Sequence, residues 1–324
     1  MNSDDLAFFT LVADAGSLSA AALAGGLDTS TVSRRIGQLE KHLDVRLCRR
    51  SGRGMALTVQ GETLLTHARQ VQQALAAARE AVAGDARQGP ARIRIAAQPT
   101  IALTLFGDLF HALQARFPAS RLQFGEGLAS SILADLQAGT VDMAVLYRPE
   151  YPGAVAYEPL LLERLYLLAP PGYAMTMTQA RLDADGLAGV PLVLPSTHHG
   201  LRVTVEAMAA RRGFTPLVAL ENDSSNALTL ELVRKGCGCT VLPLAAAAAE
   251  IAQGRLQGFA LPGDDAERCV CLVLGRSAME ARNLWALAAL VREVVTRLAT
   301  SGAWLGARPV KPPKARPGRA APPA

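Results

Sequence analysis

The chain has 324 residues, half of them hydrophobic, and a formal net charge of +5. This length exceeds that of one small domain and indicates about two or three domains with a sizeable core. No run of about eighteen apolar residues occurs, and the first five residues are acidic rather than basic, which argues against a membrane span and a signal peptide. We therefore expect a cytoplasmic protein with no membrane partner.

The first predicted elements form a helix-turn-helix at residues 17–36. Small Ala21 and Ala22 let two helices approach closely, and Gly26 can adopt the positive φ that a sharp turn requires. Asp28 is placed to cap the second helix. An ordinary helical hairpin with a solvated basic face is the alternative reading of this stretch.

Apolar residues on either side complete a compact head. Leu6, Phe9 and Val12 are spaced for a preceding helix that packs under the pair. Residues 43–47 and 55–58 are predicted to form two short strands joined by a Gly-rich basic turn. The sequence thus predicts a winged helix-turn-helix, and DNA as its partner.

The DNA-binding candidates are of two kinds. Short hydroxyl side chains can hydrogen-bond to phosphates and base edges, and arginine guanidiniums can bind phosphate or guanine. They are Thr29, Ser30, Thr31, Ser33, Arg34 and Arg35 on the second helix and Arg49, Arg50 and Arg53 in the wing.

The sequence here resembles the LysR-type transcriptional regulators of bacteria. The matching residues are the paired alanines, Val32-Ser33-Arg34-Arg35-Ile36, Leu39-Glu40, Val45-Arg46-Leu47, Arg50, and Leu57-Thr58 with Gly61. The match is dense over residues 1–65 and continues in layout to about residue 300. Thr29 stands where the family often has Gln, and Asp44 where it usually has Gly.

This resemblance implies a partner, a ligand and an assembly. The partner is double-stranded promoter DNA with an interrupted palindrome, and the ligand is a small-molecule effector. The assembly is a homodimer or a dimer of dimers. The resemblance leaves contact with RNA polymerase open.

Residues 59–90 are predicted to form a linker helix and hinge. Apolar residues recur at helical spacing from Leu64 to Val82, and a helix of about 28 residues is roughly 42 Å long. An apolar stripe of that length needs a partner, which favours dimerisation. The alternative is a helix packed on its own chain.

Short β runs alternate with amphipathic helices from residue 91 onwards. Strands are predicted at 92–96, 121–124 and 141–146 and helices at 101–116 and 130–137, an order typical of an open parallel sheet. A second round begins with a strand at 165–169. A late strand at 269–274 and a helix at 279–298 close the domain.

The predicted fold class is therefore α plus α/β. The winged helix-turn-helix spans residues 1–58, and the long dimerisation helix follows it. Residues 91–300 form a two-lobed α/β domain similar to periplasmic binding proteins, the effector domain of the same family. Its first lobe comprises 91–163 and 268–300, and its second lobe 164–267.

A cleft between two such lobes collects strand ends and helix starts, where a ligand can bind. We expect a small organic anion there. The candidate effector residues at these junctions are Thr100, Tyr147, Arg148, Ser196, Thr197, His199, Arg202, Asn222 and Thr240.

The carboxyl end carries most of the positive charge. Residues 306–324 hold five basic residues and no acidic one, so the rest of the chain is close to neutral. The net charge alone does not identify a nucleic-acid-binding protein. Because the end is also Pro-rich, we expect residues 301–324 to form a disordered tail.

Two Cys-x-Cys pairs, Cys237 with Cys239 and Cys269 with Cys271, could each present two thiols on one strand face. No histidine accompanies them, so we interpret them as structural residues and expect no metal, cofactor or disulfide.

Sequence motifs of common enzymes are absent, including the Gly-x-Ser-x-Gly elbow and the Gly-x-x-x-x-Gly-Lys phosphate loop. We therefore expect no catalytic residues and no enzyme activity. The alternative is a small-molecule-binding protein or an enzyme that uses the α/β cleft, with the helical head serving only dimerisation.

Overall fold

The computed structural model describes residues 1–51, 54–83, 89–149, 152–171, 187–197, 199–275, 279 and 281–310. The chain divides into two compact units. The amino-terminal unit comprises Met1–Ala97, Phe110–Ala144 and Leu274–Ala288, and the carboxy-terminal unit comprises Gln98–Leu109, Val145–Val273 and Ala289–Ala324. The predicted domain bounds do not coincide with these units and stay a prediction.

Three helices form the head at the start of the chain: α1 at Ser3–Ala15, α2 at Leu18–Gly25 and α3 at Thr29–Leu43. The core between them contains the fully buried side chains of Phe9, Val12, Ala21 and Val32. Gly26 adopts φ 63° after α2, as the turn requires. The predicted helix-turn-helix is confirmed.

The wing is a two-stranded antiparallel ribbon, β1 at Cys48–Ser51 and β2 at Gly54–Leu57. The prediction that its first strand occupies residues 43–47 is wrong. Helix α3 continues to Leu43, and Asp44 ends it with φ 53°. The Glu40 carboxylate then accepts the backbone N–H groups of Leu47 and Cys48, so the strand begins only at Cys48.

The long helix α4 runs from Val59 to Ala83, and residues 84–88 of the predicted linker lie outside the described part. A Cβ at Gly61 would lie 2.1 Å from the carbonyl oxygen of Leu47, so glycine permits the close approach of α4 to the head. Leu64 and Leu65 pack against the head core. The first turns of α4 are therefore packed on their own chain.

The predicted alternation of strands and helices follows, with β3 at Arg92–Ala97, α5 at Pro99–Arg116, β4 at Arg121–Glu126, α6 at Ala129–Ala138 and β5 at Met143–Tyr147. Strands β3 and β4 are parallel. In the amino-terminal unit, the buried Asp142 carboxylate accepts both the backbone N–H and the guanidinium of Arg94. This part of the α/β prediction is confirmed.

Strand β6 organises the carboxy-terminal unit. It spans Glu158–Ala169 and so begins well before the predicted residue 165. It pairs antiparallel with β9 at Thr240–Pro243, β10 at Gln257–Ala260, β11 at Glu267–Leu274 and β12 at Ala307–Pro309.

The remaining elements of the chain are the parallel pair β7 at Pro191–Leu194 and β8 at Leu217–Glu221, and the helices α7 at Gly200–Arg211, α8 at Asn226–Arg234, α9 at Ala248–Ala252 and α10 at Ala281–Ser301. The core of the carboxy-terminal unit contains the fully buried Leu165, Leu167, Val205 and Val241.

The prediction of a disordered tail from residue 301 is wrong for residues 301–310. Trp304 is only 1% exposed, and Ala307 in β12 pairs with Glu163 in β6. A large apolar side chain and a backbone ladder anchor this segment. Residues 311–324 lie outside the described part of the chain. Among the helices that the structure describes, none has the length and hydropathy of a membrane span.

Candidate nucleic-acid interface and effector site

The polar face of α3 carries several of the predicted DNA-binding side chains. Thr29, Ser33 and Arg34 are exposed. Within the described part of the chain, Ser33 and Arg34 form no side-chain hydrogen bond or ion pair. On the opposite face, Val32 and Ile36 are buried in the head core. One face of α3 therefore packs on the core of the head, and the other face is open to solvent.

The start of α3 is organised by Asp28. Its carboxylate accepts the backbone N–H of Thr31 at 2.7 Å and the hydroxyls of Ser30 at 2.6 Å and Thr31 at 3.0 Å. These hydrogen bonds, led by that of Ser30, lower the pKa of Asp28 to about 2. In the free protein, two of the predicted DNA-binding hydroxyls are therefore directed to this cap.

Arg35 differs from its neighbour Arg34. Its Cζ atom lies 3.9 Å from the centroid of the Phe8 ring, and its side chain is half-buried. A guanidinium over an aromatic face is stabilised by the ring quadrupole. Arg35 therefore connects α3 to α1, in addition to any contact with DNA.

In the wing, Arg49 is exposed on β1. Arg50 is also on β1, but its side chain lies outside the described part, as does Arg53 altogether. The position of the wing depends on Glu40, which also binds the Arg46 guanidinium at 2.7 Å. Burial opposes the ionisation of Glu40, but the Leu47 and Cys48 N–H groups and Arg46 outweigh it and lower its pKa.

The second candidate site is in the carboxy-terminal unit, around Tyr147 at the end of β5. The Tyr147 N–H donates to Gln98 Oε1 at 2.8 Å, and its phenol donates to Glu163 Oε2 at 2.5 Å. Thr100 Oγ1 lies 2.9 Å from the phenol oxygen and is left as the donor in that pair. The second oxygen of Glu163 accepts from Trp304 Nε1 at 2.6 Å.

The side chains of Tyr147 and Glu163 in this network are buried, and burial shifts the pKa of both towards the neutral form. Burial raises the pKa of Glu163, and hydrogen bonds from Tyr147 and Trp304 offset part of the rise. Burial and the negative charge of Glu163 raise the pKa of Tyr147 well above its ordinary value. The phenol therefore stays neutral near pH 7 and remains a hydrogen-bond donor.

Arg268 in β11 is the cation of this site. Its Cζ atom lies 3.6 Å from the centroid of the Tyr147 ring, and its Nη2 atom lies 3.9 Å from the position of a Cβ added at Gly200, the first residue of α7. Among the described residues, no carboxylate forms an ion pair with Arg268. The guanidinium is therefore close to both the end of β5 and the start of α7. Its cross-strand neighbour in β6 is Glu163, whose charge acts on Arg268 without a direct ion pair.

His199 lies beside this cation. Its Nδ1 atom accepts the Leu201 N–H at 3.1 Å and caps α7. Burial and the positive charge of Arg268 lower the pKa of His199, against the effect of Asp223. His199 is thus a neutral neighbour of Arg268 near pH 7. The structure brings Thr100, Tyr147 and His199 together around Arg268.

Other predicted effector residues have partners of their own. Arg202 is buried, and its guanidinium binds Glu206 at 2.6 Å and Glu221 at 3.2 Å. The Thr240 hydroxyl, also buried, donates to the Val193 carbonyl at 2.7 Å. These two side chains are occupied in structural contacts.

Asn222 donates to Thr229 Oγ1 at 2.8 Å and supports the start of α8. The Ser196 N–H donates to Asp223 Oδ1 at 2.8 Å, and Thr197 is exposed. Arg148 is exposed just after β5, where its N–H donates to the Cys269 carbonyl. Ser196 lies next to the group around Arg268, since its carbonyl oxygen accepts the His199 N–H at 3.0 Å. The described structure shows no hydrogen bond or ion pair between Arg268 and Thr197, Asn222 or Arg148.

Sequence reasoning missed Arg268, Glu163 and Trp304. The available signal was a charge inside an apolar strand, since Glu163 follows Leu160-Leu161-Leu162 and Arg268 precedes Cys269-Val270-Cys271. A buried charge in a strand requires a partner or a ligand. In the described part of the chain, no group of three or more His, Cys, Asp or Glu is arranged to hold a metal ion.

Comparison with known proteins identifies both parts of the chain. The family model for the bacterial regulatory helix-turn-helix protein of the lysR family matches residues 3–62, and that for the LysR substrate binding domain matches residues 86–296. The HTH-type transcriptional regulator BbuR of Bordetella bronchiseptica is 29% identical over 306 residues, which are 94% of this chain and 94% of that protein.

A second relative is a probable hydrogen peroxide-inducible genes activator of Mycobacterium avium. It is 30% identical over 290 residues, covering 89% of this chain and 92% of the relative. Full-length OxyR of Pseudomonas aeruginosa has a TM-score of 0.68 at 23% identity and covers 96% of this chain and 99% of its own. CbnR in complex with its target DNA has a TM-score of 0.52 at 21% identity, covering 91% of this chain and all of CbnR.

The two structural likenesses show the fold, and they confirm the predicted combination of a helix-turn-helix head with an α/β effector domain. The relatives compared by sequence are transcriptional regulators. The family models together cover most of the chain. The chain belongs to the LysR family of bacterial helix-turn-helix proteins and is a DNA-binding transcriptional regulator with an effector-binding domain.

Proposed function

We propose that this regulator binds an interrupted promoter palindrome as a homodimer, with α3 of each head in a major groove. The observation that carries this proposal is the division of α3 into a buried face and an exposed face, where Arg34 has no side-chain partner among the residues that the structure describes. Arg34 reads base edges or holds phosphate, and Arg49 in the wing contacts the flanking backbone. Ser33 and Thr29 complete the reading face.

The proposed dimer forms along the second half of α4. The first half of α4 packs against its own chain, since Leu65 contacts the core of the head and Ala68 is fully buried. One and two turns later, Val71 and Leu75 are 39% and 40% exposed. Apolar side chains at this spacing are suited to a second copy of the same helix. A symmetric pair of helices also places two heads for two half-sites.

The proposed effector is a small organic anion bound by Arg268. Its guanidinium can form a bidentate pair with a carboxylate, and the start of α7 beside it favours negative charge. Among the described residues no carboxylate forms a direct ion pair with Arg268, and the cross-strand Glu163 uses its two oxygens to accept from Tyr147 and Trp304, which leaves the guanidinium donors available to a ligand. Thr100 and Tyr147 fix the position of the cation, and Tyr147 stacks under it.

Coupling to DNA requires that the effector prefer one arrangement of the protein over another. An anion at Arg268 would bind β11 and the start of α7 together. The bound state would then favour one arrangement of the effector domains in the dimer, and with it one spacing of the two heads. The change in DNA affinity cannot exceed the difference in effector affinity between the two arrangements, and DNA changes the affinity for the effector by the same factor.

Selection from random duplex DNA by the full-length protein, followed by nuclease footprinting at two salt concentrations, tests the DNA proposal. We expect an interrupted palindrome that stays protected at the higher salt. Diffuse protection that disappears with salt would contradict sequence-specific reading, because counterion release alone would then explain binding.

Thermal unfolding of the protein with a panel of carboxylates, phosphate and sulfate tests the effector proposal. At a concentration of about 100 times Kd a ligand stabilises the protein by about 2.7 kcal/mol, so the midpoint rises for the anions that bind. Arg268→Gln should abolish that rise and the change in DNA affinity. Arg297→Gln, which removes an exposed arginine paired with Asp108, is the matched control and should retain both.

A further inference from the structure

Cys269 and Cys271 are adjacent in space as well as in sequence. Their Sγ atoms are 3.5 Å apart. In a regular strand, residues two apart are separated by roughly 6.6 Å at Cα, so the two side chains lean towards each other. The register of β11 against β6 also shifts between Val270 and Cys271, within the pair itself. The two thiols are therefore in contact at an irregular point of the sheet.

The two thiols differ in accessibility. Cys269 is half-buried, whereas Cys271 is fully buried. The hydrogen bond between the two thiols, aided by the charge of Arg148, lowers the pKa of Cys269 to about 7 against the opposing effect of burial. The pKa of Cys271 is raised by the same hydrogen bond and by burial. One accessible thiolate thus has a protonated thiol directly behind it.

We propose that Cys269 and Cys271 form a site of reversible oxidation by hydroperoxides, with Cys269 as the nucleophile and Cys271 as the resolving thiol. The Cys269 sulfur attacks one peroxide oxygen, the O–O bond breaks, and the leaving oxygen departs as an alcohol or water after taking a proton. Cys269 is then a sulfenic acid.

In the second step, Cys271 loses its proton and attacks the Cys269 sulfur. The S–S bond forms, the S–OH bond breaks, and the hydroxyl leaves as water. Two electrons pass from the two sulfurs to one hydroperoxide. A regular-strand separation of roughly 6.6 Å lies within the range of Cα distances found in disulfides, so the bond can form between these two positions.

The chain contains a matched comparison for this reaction. Cys237 and Cys239 have the same spacing, but no thiol–thiol contact joins them in the described structure, and burial raises the pKa of Cys239 to about 12. Burial likewise raises the pKa of Cys48 to about 11. The reactivity is therefore expected at one of the two Cys-x-Cys pairs only.

The test is stepwise addition of hydrogen peroxide to the reduced full-length protein, then alkylation, trypsin digestion and mass spectrometry. Trypsin places Cys269 and Cys271 together in peptide 269–276, and Cys237 and Cys239 in peptide 236–255. We expect peptide 269–276 to lose two hydrogen atoms and both alkyl groups before peptide 236–255 changes. Dithiothreitol should restore double alkylation.

Variants separate the two steps. In Cys271→Ser the first step has no resolving thiol, so dimedone should label Cys269, and in Cys269→Ser neither product should form. Cys237→Ser with Cys239→Ser should leave the oxidation unchanged. Peptide 269–276 that stays doubly alkylated, or that reacts no faster than peptide 236–255 in the unmodified protein, would overturn the proposal even if a serine variant failed to fold.

Discussion

The indole N–H of Trp304 donates a 2.6 Å hydrogen bond to the buried carboxylate of Glu163, a residue 141 positions earlier in the chain. The other oxygen of Glu163 accepts from Tyr147. A residue from the predicted tail thus completes the hydrogen bonding of the network under Arg268.

Trp304→Phe keeps an aromatic ring but removes this donor and part of the buried indole. Leaving a buried carboxylate oxygen unsatisfied costs about 1–3 kcal/mol, and the lost ring volume adds to it, so we expect the free energy of unfolding in urea to fall by at least that amount. Trp285→Phe is the control, because Trp285 is 60% exposed. An equal, small effect for both variants would contradict a role for the Trp304 hydrogen bond.

Glu40 makes the head sensitive to acid. Its lowered pKa means that folding favours the carboxylate, so its contribution is present above the pKa of the unfolded chain and is lost as pH falls through the lower folded value. Glu40→Gln should therefore lower the unfolding midpoint near pH 7, and the difference from the unmodified protein should become smaller as the pH falls below the ordinary glutamate pKa. Glu62→Gln, at an exposed position, should show no such pH-dependent difference.

Arg34 and Arg35 should separate recognition from stability. Arg34→Ala is expected to weaken binding to the selected DNA by about 1–3 kcal/mol if Arg34 reads a base, or to weaken binding to all sequences alike if it holds phosphate, with unchanged thermal stability. Arg35→Ala should lower the thermal midpoint, because it removes the contact with Phe8. Fluorescence anisotropy and calorimetry measure the two effects. A loss of stability in Arg34→Ala would count against this division.

The proposed dimer depends on the exposed stripe of α4. Val71→Glu combined with Leu75→Glu places two charges in the predicted helix pair and should shift the protein to monomers in sedimentation equilibrium. Thr63→Glu adds a charge at an exposed position on the same helix, and this variant should sediment as the same dimer as the unmodified protein. A dimer that survives the double substitution would place the interface elsewhere.

Asp44 ends α3 with φ 53° and is the only non-glycine residue with positive φ in the described structure. A left-handed residue costs roughly 1–2 kcal/mol unless it is glycine, although aspartate tolerates it better than most. Asp44→Gly should therefore stabilise the head by about 0.5 kcal/mol after the entropy cost of glycine. Urea unfolding measures this change, and a lower free energy of unfolding for Asp44→Gly would show that the cap is not strained.

Gly37→Ala is a comparison on the same helix. Gly37 lies in the middle of α3 with open space around it, so alanine should raise the free energy of unfolding through its higher helix propensity.

The features that sequence reasoning predicted are those that neighbouring residues determine. The turn at Gly26 and the cap at Asp28 depend on residues within one helical turn, and both are observed. The error in the wing arose because Glu40 receives N–H groups seven and eight residues later. Apolar pattern alone does not show where such a contact ends a helix.

The effector site was predicted less completely, for the same reason. Arg202 stood at a promising junction, but Glu206 one turn later on the same helix pairs with it, which the sequence could have shown. Arg268 and Tyr147 are 121 positions apart in the chain, and only strand pairing brings the guanidinium over the ring. The local pattern marks Arg268 as a charge beside an apolar strand segment, but it could not show that this charge lies over Tyr147.

The different environments of Arg34 and Arg35 have a consequence for how this regulator can change its targets. In the proposed DNA complex, a substitution at the exposed Arg34 or Ser33 would alter what the head reads without removing a packing contact, whereas a change at Arg35 would remove the contact between α3 and α1. New operator preferences can thus arise at two positions of one helix by single substitutions, with no compensating change required in the rest of the head.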